Sequence, residues 1–285
     1  MGVFYTLEPA VPAGTEPRRK LLEEVCRISR IGWIRGKRLS ANGSTIPCNS
    51  TNSGGYTFEA ELGIVPNGYS APDYLGWEIK SFTVSSLTTP RGGPITLMTP
   101  EPNGGVYAKQ GPEHFVRTYG YPDKAGRPDR INFGGIFRIG KISENTGLRL
   151  DLLGFDFERG LLSASDGRLV LVDPDDVVAA PWSFRGLLEH WMRKHAKVAY
   201  IPALMENEHG ERRYKFGQDI FLGEGTDFNR LLKGLASGHV YYDPGLKVEG
   251  ASTPHPRMKR RSQIRIRFSH APSLYNSWTT VDACD

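Results

Sequence analysis

The sequence predicts a mixed α/β fold of the α+β kind, a mixed sheet joined largely by hairpins, with a few helices. Three observations predict it. Helical apolar spacing is confined to separated segments, the other apolar runs are short and punctuated by glycine or aspartate, and no strand-helix-strand unit repeats. The 285 residues include 39% hydrophobic and 24% charged positions with 33 glycines and 20 prolines, the balance of a globular protein rich in turns and short strands.

The elements follow in chain order. From Pro17 to about Arg30, Leu21, Leu22, Val25, Ile28 and Ile31 recur at three- and four-residue spacing, which predicts an amphipathic helix with a basic outer face. "SANGSTIPCNSTNSGG" is dense in turn formers and reads as a loop. "YTFEAELGI" reads as a short helix closed by Gly63, and "YLGWEIKSFTV" as a strand. The stretch Thr83–Gly111, with Arg91 and Lys109, reads as a loop suited to a DNA groove or to plain surface.

Further on, "GGIFRIGKI", "LRLDLLGFDF" and "GRLVLVD" are β-like. Asp173, Asp175 and Asp176 lack the spacing of a calcium loop and read as a turn. "SFRGLLEHWMRKH" is a helix feeding the strand "KVAYIPALM", with His190 and His195 in structural roles. "TDFNRLLKGLASG" is a helix capped by Thr226 or Asp227 and closed by Gly238, after which "HVYYD" and "SQIRIRF" are strands.

The first thirty residues hold no apolar core behind a basic start, and no later stretch reaches the roughly eighteen apolar residues of a membrane helix, so the expectation is a cytoplasmic protein without membrane contact. Cys26, Cys48 and Cys284 are too few and too scattered for a disulfide framework or a zinc site and read as reduced thiols.

A net charge of +5 and a pI near 9.0 point to a polyanionic partner. Arg257, Lys259, Arg260, Arg261, Arg265 and Arg267 fall within eleven positions, a density that suits either nucleic-acid contact or a solvated charged face. Arg265 and Arg267, two apart in a strand, share one face. Arginines pair with guanine in the major groove, but more than half of protein–DNA hydrogen bonds go to the backbone, so most of this cluster is expected on phosphate.

The chemistry concentrates in "APDYLGWEIKSF". Strand side chains two apart point the same way, so Glu78 and Lys80 project together while Ile79 faces the opposite layer. Asp73, in the turn before the strand, is placed to swing its carboxylate beside Glu78, and the two acids make a hard oxygen site suited to Mg²⁺. Phosphodiester hydrolysis needs such a metal and a cation beside the nucleophile, the role open to Lys80, while Glu59 on the preceding helix adds a further acid. The spacing alone favours an ordinary strand ion pair over a catalytic site.

"GYTFEAELGI" followed by "APDYLGWEIKS" resembles the PD-(D/E)xK nuclease superfamily, in the branch holding the nicking endonuclease MutH and the MvaI/BcnI restriction endonucleases. "IGWIRGKR", "SLTTPRGGPITLMTPEP" and "PSLYNSW" are similar to MvaI/BcnI segments, whereas "KRRSQIRIR" departs from the family pattern at a late turn. The resemblance implies a restriction-endonuclease-like core with a second, DNA-recognition lobe forming a clamp. It places the catalytic lobe mainly in residues 1–195 and the recognition lobe mainly in 196–285.

It further implies a monomeric, Mg²⁺-dependent, sequence-specific endonuclease acting on double-stranded DNA, with a cognate DNA methyltransferase as system partner. Glu59, Asp73, Glu78 and Lys80 would be catalytic, Asp73 and Glu78 the metal ligands. The alternatives are a MutH-like nicking enzyme and a non-cleaving DNA-binding protein on the same fold.

Overall fold

The computed structural model describes residues 15–66, 72–164 and 166–285. The first fourteen residues, nearly half of the stretch read for a leader, and Ala71 lie outside that range. The chain divides into two compact units, each discontinuous in sequence: residues 1–95, 192–226 and 268–285 form the first, and residues 96–191 and 227–267 the second.

The first unit is built on one mixed sheet. Its central strand, Lys197–Glu208, pairs in parallel with Glu78–Thr83 along one edge, Val198 opposite Glu78 and Tyr200 opposite Lys80. Its other edge is met antiparallel by Glu211–Phe216 and then Asp219–Glu224. These two are nearly one strand, interrupted where the Gly217 amide donates to the Pro202 carbonyl. Trp33–Arg35 and Ser277–Asp282 pair on their outer sides.

Alternation sorts the side chains. Ile79, Ala199, Ile201 and Ala203 join the core containing Leu21, Val25 and Ile28 of the helix Thr15–Ile31 and Phe58 of the helix Ser53–Glu61. On the opposite face Tyr200, Phe221, Phe268, Tyr275 and Trp278 form an aromatic cluster. The first helix meets its expectation except at Ile31, which is 47% exposed. Its outer face carries Arg19 paired with Glu16 and Glu23.

Three expectations change. The turn-rich stretch after Ser40 is not all loop, because Thr45–Pro47 pairs with Lys37–Leu39 as a hairpin. The stretch Thr83–Gly111 contains the strand Pro94–Met98 and the helix Gly105–Gln110. Cys26 and Cys284 form a disulfide, with Cα atoms 5.0 Å apart across 258 residues of chain, and only Cys48 is free. Sequence spacing carries no information about a pair that the fold closes from the two ends of the unit.

The second unit is antiparallel. Arg149–Leu153, Arg168–Val172 and Val178–Ser183 make one three-stranded sheet, and Arg130–Gly134, Gly245–Glu249 and Arg257–Lys259 belong to another. Val240–Tyr242 pairs with Ile264–Arg267. Phe115, Phe133, Phe137, Trp182 and Tyr242 are fully or almost fully buried at its core. The helix Phe228–Ala236 is capped by Asp227, whose carboxylate accepts from the Arg230 amide at 2.8 Å, and Gly238 follows with φ +73°. Asp173 accepts the amides of Asp175 and Val177, the expected turn. No helix among the described residues is long and apolar enough to cross a membrane.

Candidate active site

A two-residue turn positions the first acid. Tyr74 and Trp77 exchange both backbone hydrogen bonds, at 2.9 and 2.8 Å, around Leu75 and Gly76. Both central residues have positive φ, +47° and +84°, the combination of a type I′ hairpin turn. Gly76 adopts this freely, but for Leu75 it costs on the order of 1 kcal/mol or more. The turn folds Asp73 back onto the start of the strand, where its Oδ2 accepts the Ile79 amide at 3.0 Å.

Glu78 and Lys80 share a strand face, as expected. Glu78 is 4% exposed, and its Oε1 accepts from Lys80 Nζ at 3.0 Å. Its Oε2 is buried without a hydrogen-bond partner among the described residues and faces Lys194 Nζ at 3.4 Å. Glu59 lies on the helix Ser53–Glu61, half-buried in the same unit.

Electrostatics bind these groups into one site. Burial pushes the Glu59 carboxyl up to about 7, and repulsion from Asp73 and then Glu78 adds to it. Asp73 is likewise raised, first by burial and then by Glu78, against the Ile79 amide and the two lysines. Three carboxylates therefore crowd within electrostatic reach at the sheet edge.

No group of three or more His, Cys, Asp or Glu among the described residues closes into a metal cluster. The donor set nevertheless fits a hard divalent cation. A buried carboxylate oxygen without a hydrogen bond and mutually repelling acids are what such an ion relieves, and oxygen ligands are what Mg²⁺ takes. Asp73 and Glu78 are the residues that would hold it.

Sequence reasoning missed Lys194. It sits in the last turn of the helix Phe184–His195, 114 positions beyond Lys80, and no spacing rule links the two. It also missed the network behind the site. His195 is fully buried, its Nδ1 lies 3.2 Å from the Tyr275 hydroxyl, and that hydroxyl lies 2.8 Å from the hydroxyl of Tyr200.

The basic candidates are spread. Arg91 is exposed on a loop of the first unit, and Lys109 is exposed on the helix Gly105–Gln110 of the second. Arg257, Lys259, Arg260, Arg261 and Arg267 are exposed in the second unit. Lys259 pairs with Glu249 at 2.9 Å, and the half-buried Arg265 pairs with Asp243 at 2.6 Å.

The likeness of the chain to known proteins defines its class, a type II site-specific deoxyribonuclease. The chain belongs to the MvaI/BcnI restriction endonuclease family, whose model matches residues 22–275. Among solved structures it is similar to restriction endonuclease MvaI in complex with its cognate DNA substrate. That match has a TM-score of 0.68 and 20% identity and covers 94% of this chain and 99% of that one, a likeness of fold. MvaI in the absence of DNA matches with a TM-score of 0.48 and 18% identity over the same shares. No curated protein matches the chain.

Proposed function

We propose that the chain is a Mg²⁺-dependent endonuclease of the PD-(D/E)xK type that hydrolyses phosphodiester bonds of double-stranded DNA at a short specific sequence. The observation that carries this reading is that Glu59, Asp73, Glu78 and Lys80 lie within electrostatic reach of one another, with one oxygen of Glu78 bonded to Lys80 and the other buried without a hydrogen bond among the described residues. Asp73 and Glu78 hold the metal. When bound, it supplies charge stabilisation at the phosphoryl oxygens and lowers the pKa of water.

The chain's own residues do the rest. Lys80, fixed by Glu78, presents its remaining ammonium protons to the attacking water and the developing phosphoryl charge. Asp73 keeps its orientation through the Ile79 amide. Glu59 helps place the lysines and holds a proton in the metal-free site.

Catalysis is assigned to the first unit, which contains all four residues, and base reading to the second, which carries most of the basic candidates. The two together are read as a MutH-like clamp. Arg91, Lys109, Arg257, Lys259, Arg260, Arg261, Arg265 and Arg267 are its DNA contacts. The enzyme is read as a cytoplasmic monomer paired in its system with a DNA methyltransferase.

Incubation with unmethylated plasmid and Mg²⁺ tests the reading. Discrete fragments, lost with EDTA and in Lys80→Ala, are expected. Open-circular product alone would shift the reading to a nicking enzyme, and DNA binding with no Mg²⁺-dependent cutting on varied DNA would overturn it.

A further inference from the structure

We propose that Lys194 is a built-in counter-cation that occupies the Glu78 side of the metal site until a divalent ion displaces it, and so sets the affinity of the empty site for that ion. This deepens, and rests on, the endonuclease reading above.

The two lysines beside Glu78 are not equivalent. Lys80 makes a directional hydrogen bond to Oε1 at 3.0 Å. Lys194 approaches Oε2 at 3.4 Å, and that oxygen has no hydrogen bond among the described residues. Its hold on the oxygen is therefore charge without a directed bond, and the oxygen keeps a lone pair for a stronger Lewis acid. Of the two ammonium groups, Lys194 is also the one that more strongly offsets the repulsion felt by Glu59 and by Asp73. Both lysines act on the whole acidic cluster, but Lys80 is tied to Glu78 by a directed bond and Lys194 is not.

The placement is built into the fold. Lys194 ends a helix, where the backbone dipole favours a cation. The next residue, His195, is buried and reaches the Tyr275 hydroxyl, which reaches Tyr200, the register partner of Lys80. The helix end is thus tied to the strand pair that carries Glu78 and Lys80. Lys194 itself stays about one-quarter exposed, free to withdraw when a second cation arrives. A divalent ion and an ammonium group cannot both sit on Oε2 without strong repulsion, so loading the metal costs the displacement of Lys194.

Titrating Mg²⁺ into the DNA-free protein by calorimetry, beside plasmid cleavage by the unaltered enzyme, tests this. Lys194→Gln, which removes the charge and keeps most of the length, is expected to bind Mg²⁺ about tenfold more tightly. Lys194→Arg, which keeps the charge, is expected to stay within about twofold of the original. Lys194→Met is a second neutral variant expected to tighten binding in the same way, and melting curves in EDTA show that each variant is folded. A residue that only supports the helix end would leave Mg²⁺ affinity unchanged or weaken it when replaced.

Mg²⁺ affinity in the two neutral variants equal to or below the original overturns the proposal. If the unaltered enzyme then still cuts DNA, the endonuclease reading stands and the Lys194 proposal alone falls. If the unaltered protein binds Mg²⁺ but cuts no DNA, the endonuclease reading falls while the titrations still decide what Lys194 does.

Discussion

Glu78 is the residue on which the site turns. Its carboxylate is almost wholly buried, one oxygen bonded to Lys80 and the other left to charge alone. Glu78→Ala and Lys80→Ala are each expected to lower the cleavage rate at least about 100-fold, measured on plasmid at saturating Mg²⁺, since the first removes a carboxylate proposed to hold the metal and the second a cation aimed at transition-state charge. Glu59 supports a pH prediction. Its folded-state value near 7 lies above the ordinary 4.5, so the folded protein holds this proton more tightly than the unfolded chain. The stability it contributes is complete below about pH 4.5, falls as pH rises towards 7 and is lost above that. Glu59→Gln should therefore raise stability in EDTA at pH 8 by on the order of 2 kcal/mol and leave it little changed at pH 4.5, as read by denaturant melts. Asp73, Glu78 and Lys80 were legible because strand alternation and a short turn bring near neighbours together. Lys194 was not, because its nearness to Glu78 depends on pairing between strands more than 110 residues apart in sequence.

At the scale of the element, the turn at Leu75–Gly76 and the strand after it act as one device. Gly76→Ala places a side chain at φ +84° and is expected to cost about 1 kcal/mol in thermal stability and to slow cleavage by shifting Asp73. A second test lies at Gly223, in the strand Asp219–Glu224. A Cβ there would come within 2.7 Å of the Tyr275 ring, so Gly223→Ala is expected to destabilise by about 1–3 kcal/mol and to disturb the Tyr275–His195 pair. Helices were readable where periodicity and caps agreed, as at Asp227 and Gly238. The hairpin Thr45–Pro47 was hidden because its residues are turn formers locally, and only pairing with Lys37–Leu39 makes them a strand.

At the scale of the molecule, the disulfide and the charge distribution set the remaining tests. Cys26–Cys284 closes a loop of most of the chain, so Cys284→Ser, or reduction, is expected to lower stability by about 5 kcal/mol in the chain-entropy account, read as a lower melting temperature. The expectation of reduced thiols failed because it rested on cysteine count and spacing, which carry no information about which two Cβ atoms the fold brings within bonding distance. Binding of duplex DNA in EDTA is expected to weaken steeply with salt, and replacing Arg260 or Arg267 with alanine should reduce the slope by about one counter-ion each if they hold phosphate.

By itself, the sequence determined the periodic helices, the alternating strands and the acid-bearing turn and acid-lysine strand from Asp73 to Lys80, because each rests on neighbours a few residues apart. Its likeness to a nuclease family added the function that those residues support. Tertiary structure alone decided the interleaving of the two units, the Cys26–Cys284 bond, and the arrival of Lys194 with its buried histidine and tyrosines. These depend on which distant segments pair, and pairing is fixed by burial and register across the whole sheet, not by any local pattern.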